Sequence, residues 1–312
     1  MQLPPHADVS DRAIVEMAHH HRLFSHPVIR LPDTSIFNAI CLLGDAHVLR
    51  VPRRHPLHDR ALYHESIAVP LARRAGVRTP ALLVYDDSRT VLPVPYTIYE
   101  RVKGETLAHL DLEPEETPAV WHDIGCDLAR LHTGVDRDGP GAALGERETL
   151  PDSRQLAEDL ASCGWITSSE ARWFVRWLDR IVPAATAPAE ASFSHGDVQS
   201  TNVMVQSSSW QYAALLDWGS ASWGDPAWDF GGVPLRAVPS LLDGYRSLAP
   251  LQDDTTVEAR ILWRHMQHAL FTAQRGPQPS HSWAERPLTM LVELSRFFLT
   301  NQSPIWRELG PM

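Results

Sequence analysis

Two short segments in the second half of the chain concentrate the residues best suited to catalysis. The first is His195-Gly196-Asp197, which is followed by Asn202 and an apolar run at 203–205. The second is Asp217, which follows another apolar run at 213–216. Asp197 lies in a glycine-containing loop, where a carboxylate can accept a hydrogen bond from a substrate hydroxyl and orient it for attack on phosphorus. Asn202 and Asp217 offer the hard oxygen ligands that a divalent ion prefers.

The two apolar runs have the length and spacing of strands that pair as a hairpin. Pairing would bring Asn202 and Asp217 to the same end of the hairpin, where both can reach one divalent ion. Phosphoryl transfer demands alignment and charge neutralisation more than covalent chemistry from the protein. A carboxylate, an amide and a second carboxylate with magnesium can supply both.

These segments resemble those of a known family. His195-Gly196-Asp197 followed by Asn202 matches the Brenner motif of the aminoglycoside phosphotransferase and choline kinase superfamily, and 216–219 resembles its metal-binding aspartate segment. The resemblance implies that Asp197 is the catalytic base or hydroxyl-orienting residue and that Asn202 and Asp217 hold Mg²⁺. It implies a structural role for His195, which would brace the loop.

A further segment at 224–230 also resembles the family. Asp225 precedes a proline, as a helix N-cap often does, and we interpret it in that way. We interpret Asp229 as a buried structural carboxylate near the site.

The nucleotide side has weaker sequence signals. In a kinase-like lobe a cation on the third strand touches the phosphates and pairs with a helix glutamate, and Arg50 and Glu65 fit these places. The family more often has lysine, but arginine carries a permanent charge on a planar fork that suits phosphate. We expect Ser35 and Asn38 near the phosphates, and Glu100 to Val102 as the hinge that offers backbone groups to the purine of ATP or GTP.

The acceptor side is predicted only by position. Trp218 or Trp223, beside the metal segment, could wall the acceptor pocket by stacking on a ring. In the family the C-terminal helices build this pocket, so the remaining candidates are Asp243, Glu258, Arg264 and His265.

The elements that must position these residues change character near residue 102. Strands are expected at 35–43, 47–51, 81–85 and 96–102, around a helix at 59–69 that Pro70 would end or kink. Helical periodicity follows at 117–131, 168–181, 255–274 and 283–300. We therefore predict an α+β, protein-kinase-like bilobal fold, with a β-rich N-terminal lobe at 1–101 and a mainly helical C-terminal lobe at 102–312.

Composition limits the partners. The 312-residue chain has a formal net charge of −10, which disfavours nucleic acid as a partner. Three widely spaced cysteines without paired metal-ligand spacing indicate a reducing compartment. Because neither a secretory leader nor a membrane-spanning apolar run is evident, we expect a cytoplasmic protein. We expect it to be a monomer or a homodimer.

The expected function is transfer of the γ-phosphoryl group of ATP or GTP to a hydroxyl of an antibiotic, which would confer resistance. An aminoglycoside-like antibiotic is the first choice of acceptor. This choice of acceptor follows from its frequency in the family and from the acidic chain. Two alternatives stay open: a metabolic kinase of the same superfamily acting on choline, homoserine or a sugar, and a non-catalytic nucleotide-binding module. The intact set of Asp197, Asn202 and Asp217 disfavours the second.

Overall fold

The computed structural model describes residues 4–23, 26–31, 37–110, 112–148, 150–186, 189–249, 255–274, 289–301 and 303–311. Ser35, one of the residues expected near the phosphates, lies outside this set. Over the described ranges, no helix combines the length and apolar character needed to cross a membrane.

The N-terminal part is built around an antiparallel sheet. Its elements are α1 (Asp11–His20), β1 (Val28–Arg30), β2 (Asn38–Leu43), β3 (His47–Pro52), α2 (Pro56–Arg74), β4 (Leu82–Asp86) and β5 (Tyr96–Glu100). The strands lie in the order β1-β2-β3-β5-β4, with neighbours antiparallel throughout. The expected hairpin between β2 and β3 is confirmed, with Gly44 at a positive φ of 59°. The sequence patterns did not predict α1 or β1.

Helix α2 corrects one expectation. Pro70 was expected to end or kink it; the helix does not end there but continues to Arg74. Proline removes one helical hydrogen bond, but the final turns are held by burial, since Ala68, Val69, Leu71 and Ala72 all pack in the core. Tertiary packing therefore outweighs the local preference for a break.

The rest of the chain is mainly helical. Its elements are β6 (Glu105–Thr106), α3 (Pro118–Gly134), α4 (Ser153–Ser162), α5 (Ser168–Ala185), β7 (Ser192–Ser194), β8 (Val203–Val205), β9 (Tyr212–Leu215), β10 (Ser222–Gly224), α6 (Val238–Leu248), α7 (Val257–Ala273), α8 (Thr289–Thr300) and α9 (Pro304–Leu309). The helices expected at 117–131, 168–181 and 255–274 are confirmed with shifted ends. The first part of the last expected helix, 283–288, lies outside the described residues.

In the part of the chain that the structure describes, two hydrophobic clusters form the core. One joins α1 to the N-terminal sheet, and the larger one fills the helical part. The second half of α2 belongs to the larger cluster, so this helix connects the two parts. The α+β bilobal fold is confirmed, while the division at residues 101 and 102 stays a prediction.

Helices α3 and α6 approach each other closely because glycine faces backbone on both sides. A Cβ at Gly125 would collide with the carbonyl of Leu241, and a Cβ at Gly244 would collide with that of His122. This packing positions the site, because His132 near the end of α3 bonds to Tyr245 of α6 at 3.2 Å and also reaches Asp229.

Candidate active site

The hairpin of β8 and β9 brings the two predicted metal ligands to one end. The strands are antiparallel, with Val203 opposite Leu215. Beyond this pair, the Leu216 amide donates to the Asn202 carbonyl at 2.8 Å. Asn202 and Asp217 therefore leave the hairpin side by side, and the predicted pairing is confirmed.

Asp197 is held by amide donors. Gln199 Nε2 donates to both carboxylate oxygens at 3.0 and 3.1 Å, and Asn202 Nδ2 donates to Oδ2 at 2.9 Å. Burial, and after it the charge of Asp217, raises the pKa of the Asp197 carboxyl to about 6. Gln199 lies inside the motif but was not among the residues predicted from the sequence.

His195 connects the loop to the second motif. Its Nδ1 accepts from the Asp197 amide at 3.1 Å, and its Nε2 donates to the Leu216 carbonyl at 2.9 Å. The ring is fully buried, and burial lowers its pKa. A neutral imidazole with one donor and one acceptor satisfies both contacts, so the ring ties the Asp197 loop to the residue before Asp217.

Asp229 holds the backbone of the loop that carries Asp197. It is completely buried and accepts from the amides of His195 and Gly196, at 2.8 and 2.6 Å, and from His132 Nε2 at 3.0 Å. Burial alone would raise its pKa, but the bond and charge of His132 and the other contacts lower it. Asp225 caps the following 3₁₀ turn by accepting from the Ala227 amide at 2.9 Å.

Arg50 bridges the two lobes. Its Nη1 lies 2.9 and 2.8 Å from the two oxygens of Glu65, and its Nη2 lies 3.1 Å from Asp217 Oδ1. Tyr99 also donates to Glu65. Burial acts to raise the pKa of Asp217, but the charge and hydrogen bond of Arg50 bring it below its ordinary value. Asp217 has a positive φ of 66°, a conformation uncommon for residues other than glycine and often found at functional sites.

The other expected nucleotide residues border the same sheet. Asn38 is the first residue of β2 and is buried. Glu100 ends β5, and its amide donates to the Ala81 carbonyl at 2.9 Å. Within the described residues the Val102 amide has no hydrogen-bond acceptor, so it can donate to a ligand.

The donor set of Asn202 and Asp217 fits Mg²⁺. Asn202 turns its Nδ2 towards Asp197, which leaves its Oδ1 available, and the Asp217 side chain is 38% exposed. Amide and carboxylate oxygens are ligands that Mg²⁺ accepts together with substrate phosphates. No group of three or more His, Cys, Asp or Glu side chains in the described ranges has the arrangement of a metal site, so triphosphate oxygens and water would complete the coordination.

The prediction that Trp218 or Trp223 walls the acceptor pocket is wrong. Trp218 and Trp223 are only 1% and 4% exposed. Their indole nitrogens donate inward, to Thr79 Oγ1 at 3.0 Å and to the Gly141 carbonyl at 2.9 Å. Because each ring is enclosed by the core, neither can stack on an acceptor.

The other acceptor candidates lie in different surroundings. Glu258 is buried in an ion pair with Arg246 at 2.8 Å. Asp243 is exposed beside His122 on the face of α3 and α6. His265 is buried on α7, where burial lowers its pKa to about 3. Arg264 is the candidate that lies beside the catalytic-loop segments, against Trp228 and Asp225.

Sequence reasoning missed Arg147. Its Nη2 donates to the Gly196 carbonyl at 2.9 Å, directly next to Asp197, and its guanidinium lies 4.6 Å from the centre of the Trp228 ring. Arg147 sits in a connection far upstream of both motifs, where no spacing or periodicity marks it.

Comparison with known proteins identifies the family of this chain. A model of the phosphotransferase enzyme family matches residues 38–266. The uncharacterized protein YcbJ of Bacillus subtilis (strain 168) is 30% identical over 205 residues, which are 60% of this chain, and the match spans 62% of that protein.

Solved structures share the fold. The GDP complex of wild-type aminoglycoside 2'-phosphotransferase-IIIa aligns with a TM-score of 0.65 at 15% identity, covering 92% of this chain and 99% of that one. The macrolide 2'-phosphotransferase MphH of Brachybacterium faecium aligns with a TM-score of 0.61 at 19% identity, covering 89% and 97%. At these identities the likeness concerns the fold.

Proposed function

The chain belongs to the phosphotransferase enzyme family, and we propose that it moves the γ-phosphoryl group of ATP or GTP to a hydroxyl of a small molecule. Asp197 is the catalytic residue of this proposal. The observation that supports it most is that Gln199 and Asn202 hold the carboxylate of Asp197, and burial, with the charge of Asp217, raises its pKa. A carboxylate with a raised pKa is a better acceptor for the proton that the hydroxyl must lose.

In the proposed mechanism the acceptor hydroxyl donates a hydrogen bond to Asp197, which orients its oxygen for in-line attack. The bond from that oxygen to the γ-phosphorus forms, the bond from the γ-phosphorus to the bridging oxygen breaks, and the nucleoside diphosphate leaves. Asp197 takes the proton as the new bond forms. Because the transition state is loose, alignment and charge stabilisation supply most of the acceleration.

The charged groups around Asp197 suit the triphosphate. Arg50, aligned by Glu65, would neutralise phosphate oxygens with its guanidinium fork. Asn202 and Asp217 would hold Mg²⁺, which when bound supplies further neutralisation of the phosphates. On the nucleotide side, Ser35 and Asn38 would lie near the phosphates, and Glu100 to Val102 would offer backbone groups to the purine.

The acceptor proposal follows the family. Proteins with this fold include phosphotransferases named for aminoglycosides and for macrolides, which supports an antibiotic as one acceptor class and resistance as the outcome. A metabolic kinase of the same family is the second candidate, favoured by the positive charge of Arg147 beside the Asp197 loop, since this charge suits an anionic metabolite.

Replacing Asp197 tests the proposed function. Wild-type protein with Mg²⁺ and γ-labelled ATP or GTP is screened against hydroxylated antibiotics and metabolites, and label transfer is measured. Asp197→Ala should lower turnover about a thousandfold, the scale expected for a lost general base. It should still bind a non-hydrolysable nucleotide with an unchanged dissociation constant. Transfer that survives in Asp197→Ala would refute the assigned role.

A further inference from the structure

Two arginines lie against one tryptophan beside the catalytic loop. The Arg147 and Arg264 guanidiniums lie 4.6 and 4.1 Å from the centre of the Trp228 ring. Arg147 also donates to the Gly196 carbonyl at 2.9 Å. Because Gly196 precedes Asp197, Arg147 is close to the place where the acceptor hydroxyl is proposed to bind, and Arg264 lies on the same tryptophan as Arg147.

Carboxylates lie near this pair: the charges of Asp229 and Asp197 act on Arg147, and that of Asp225 acts on Arg264. No carboxylate of the described residues forms an ion pair with Arg147. Arg264 donates to the amide oxygen of Gln267 at 3.1 Å, and its nearest carboxylate, Asp225, is 3.7 Å away. Arg260 approaches the same carboxylate at 3.6 Å. Within the described residues, neither Arg147 nor Arg264 has a carboxylate oxygen closer than 3.7 Å.

Holding these cations together costs free energy. Burial lowers the pKa of Arg147 and of Arg264, and the charge of Arg147 lowers that of Arg264 further. An anion bound between them would offset both the desolvation and the repulsion. The planar guanidinium fork matches a carboxylate or a phosphate, and stacking on an aromatic ring keeps the fork oriented.

We propose that Arg147 and Arg264, aligned by Trp228, bind an anionic group of the acceptor, so that the preferred acceptor is a hydroxylated small anion and not a polycationic aminoglycoside. The inference rests on the proposed function, since it assigns the acceptor of that same site. A carboxylate and a phosphate ester share the chemistry that the arginines recognise, and the experiment separates them. A polycation would instead meet like charge next to Asp197.

The test uses four ligands that share one six-carbon hydroxylated framework. Gluconate carries a carboxylate, glucose 6-phosphate a phosphate, glucose no charge and glucosamine a cation. The full chain is saturated with Mg²⁺ and a non-hydrolysable ATP analogue, which occupies the nucleotide site, and the midpoint of thermal unfolding is measured against each ligand. Gluconate, glucose 6-phosphate or both should raise the midpoint at millimolar concentration, whereas glucose and glucosamine should not. A response to one anion alone identifies its class.

Variants link the response to the arginines. Arg147→Gln and Arg264→Gln should each lower the affinity for the stabilising anion about tenfold, as the loss of one charged hydrogen bond predicts. Arg147→Lys should retain part of this affinity. The matched control is Arg137→Gln, because Arg137 also lies over a tryptophan, Trp223, but pairs with Glu146. Each variant's own melting midpoint and analogue affinity show that it is folded.

Several outcomes would overturn the inference. These are no shift with either anion, equal shifts with all four ligands, a larger shift with glucosamine or kanamycin, or full binding in both glutamine variants. A loss of analogue affinity in Arg147→Gln equal to the loss of anion affinity would reassign Arg147 to the γ-phosphate. Because these measurements need no turnover, failure of phosphate transfer would refute the proposed function while leaving the binding result in place.

Discussion

Arg50 and Asp217 are 167 residues apart in sequence, and Arg50 Nη2 lies 3.1 Å from Asp217 Oδ1. The same guanidinium binds both oxygens of Glu65, which is 1% exposed. One cation therefore holds a buried carboxylate of the N-terminal lobe and the predicted metal ligand of the C-terminal lobe. This contact aligns the two halves of the site before a nucleotide binds.

Removing Arg50 should destabilise the protein through Glu65, whose pKa burial raises to about 7 even beside Arg50: without the cation it must take up a proton or keep an unpaired buried charge. Arg50→Gln should lower the free energy of unfolding by about 3–5 kcal/mol, the usual cost of breaking a buried ion pair. Arg50→Gln/Glu65→Gln should recover part of this loss because the stranded charge is gone. Urea unfolding of the two single variants and the double variant measures the coupling. Arg89→Gln, which breaks an exposed pair with Asp59, should cost at most about 1 kcal/mol. Strictly additive losses would contradict the prediction.

Metal dependence should follow Asp217. Chelation of Mg²⁺ should abolish phosphate transfer, and Asp217→Asn should raise the Mg²⁺ concentration for half-maximal activity about tenfold or more, since it replaces a charged ligand with a neutral one. Activity titrated against Mg²⁺ at saturating nucleotide gives the comparison. Asp179→Asn, on an exposed pair with Arg154, is the control. An unchanged Mg²⁺ requirement in Asp217→Asn would show that the ion binds elsewhere.

The contact of α3 with α6 should tolerate no side chain at Gly125. Gly125→Ala places a methyl group against the Leu241 carbonyl, and backbone must move to admit it. We expect a loss of about 3 kcal/mol in the free energy of unfolding. Gly139→Ala, whose added methyl meets only an ordinary contact, should change it by no more than about 0.5 kcal/mol. Equal stability of the two variants would contradict the prediction, because it would mean that α3 and α6 can move apart at no cost in free energy.

Stability should fall in mild acid because His265 is buried in its neutral form. Burial lowers its folded-state pKa to about 3 from an ordinary value of 6.5. Above pH 6.5 both states carry a neutral ring, so its effect on stability is absent there. As pH falls below 6.5, His265 binds a proton in the unfolded state but not in the folded state. The free energy of unfolding therefore falls by about 1.4 kcal/mol per pH unit.

A non-titrating replacement isolates this contribution. The free energy of unfolding is measured between pH 7.5 and 5, above the range where most carboxylates titrate. His265→Asn should show a flatter dependence on pH than the wild type, whatever its stability at pH 7.5. Parallel curves for the two proteins would assign the acid sensitivity to other groups.

The local chemistry of the site could be predicted from the sequence because its parts are local. The loop at 195–202 and the hairpin that follows are short, so strand pairing alone brings Asn202 beside Asp217. The predictions for Arg50 and Glu65 rest on an element order that is also readable along the chain. Their hydrogen bonds are observed in the structure, while their roles with nucleotide stay predictions.

Tertiary structure alone decided what surrounds these residues. Trp218 and Trp223 are buried because the core encloses their rings, which the sequence does not show. Helix α2 continues past Pro70 because its last turns are packed in the core. Arg147 reaches the catalytic loop from a distant connection that carries no periodic signal. Hydrophobic periodicity and short motifs report contacts between neighbours in sequence. The charge and shape of an acceptor pocket arise where remote segments meet, and only the folded chain brings Arg147, Trp228 and Arg264 together.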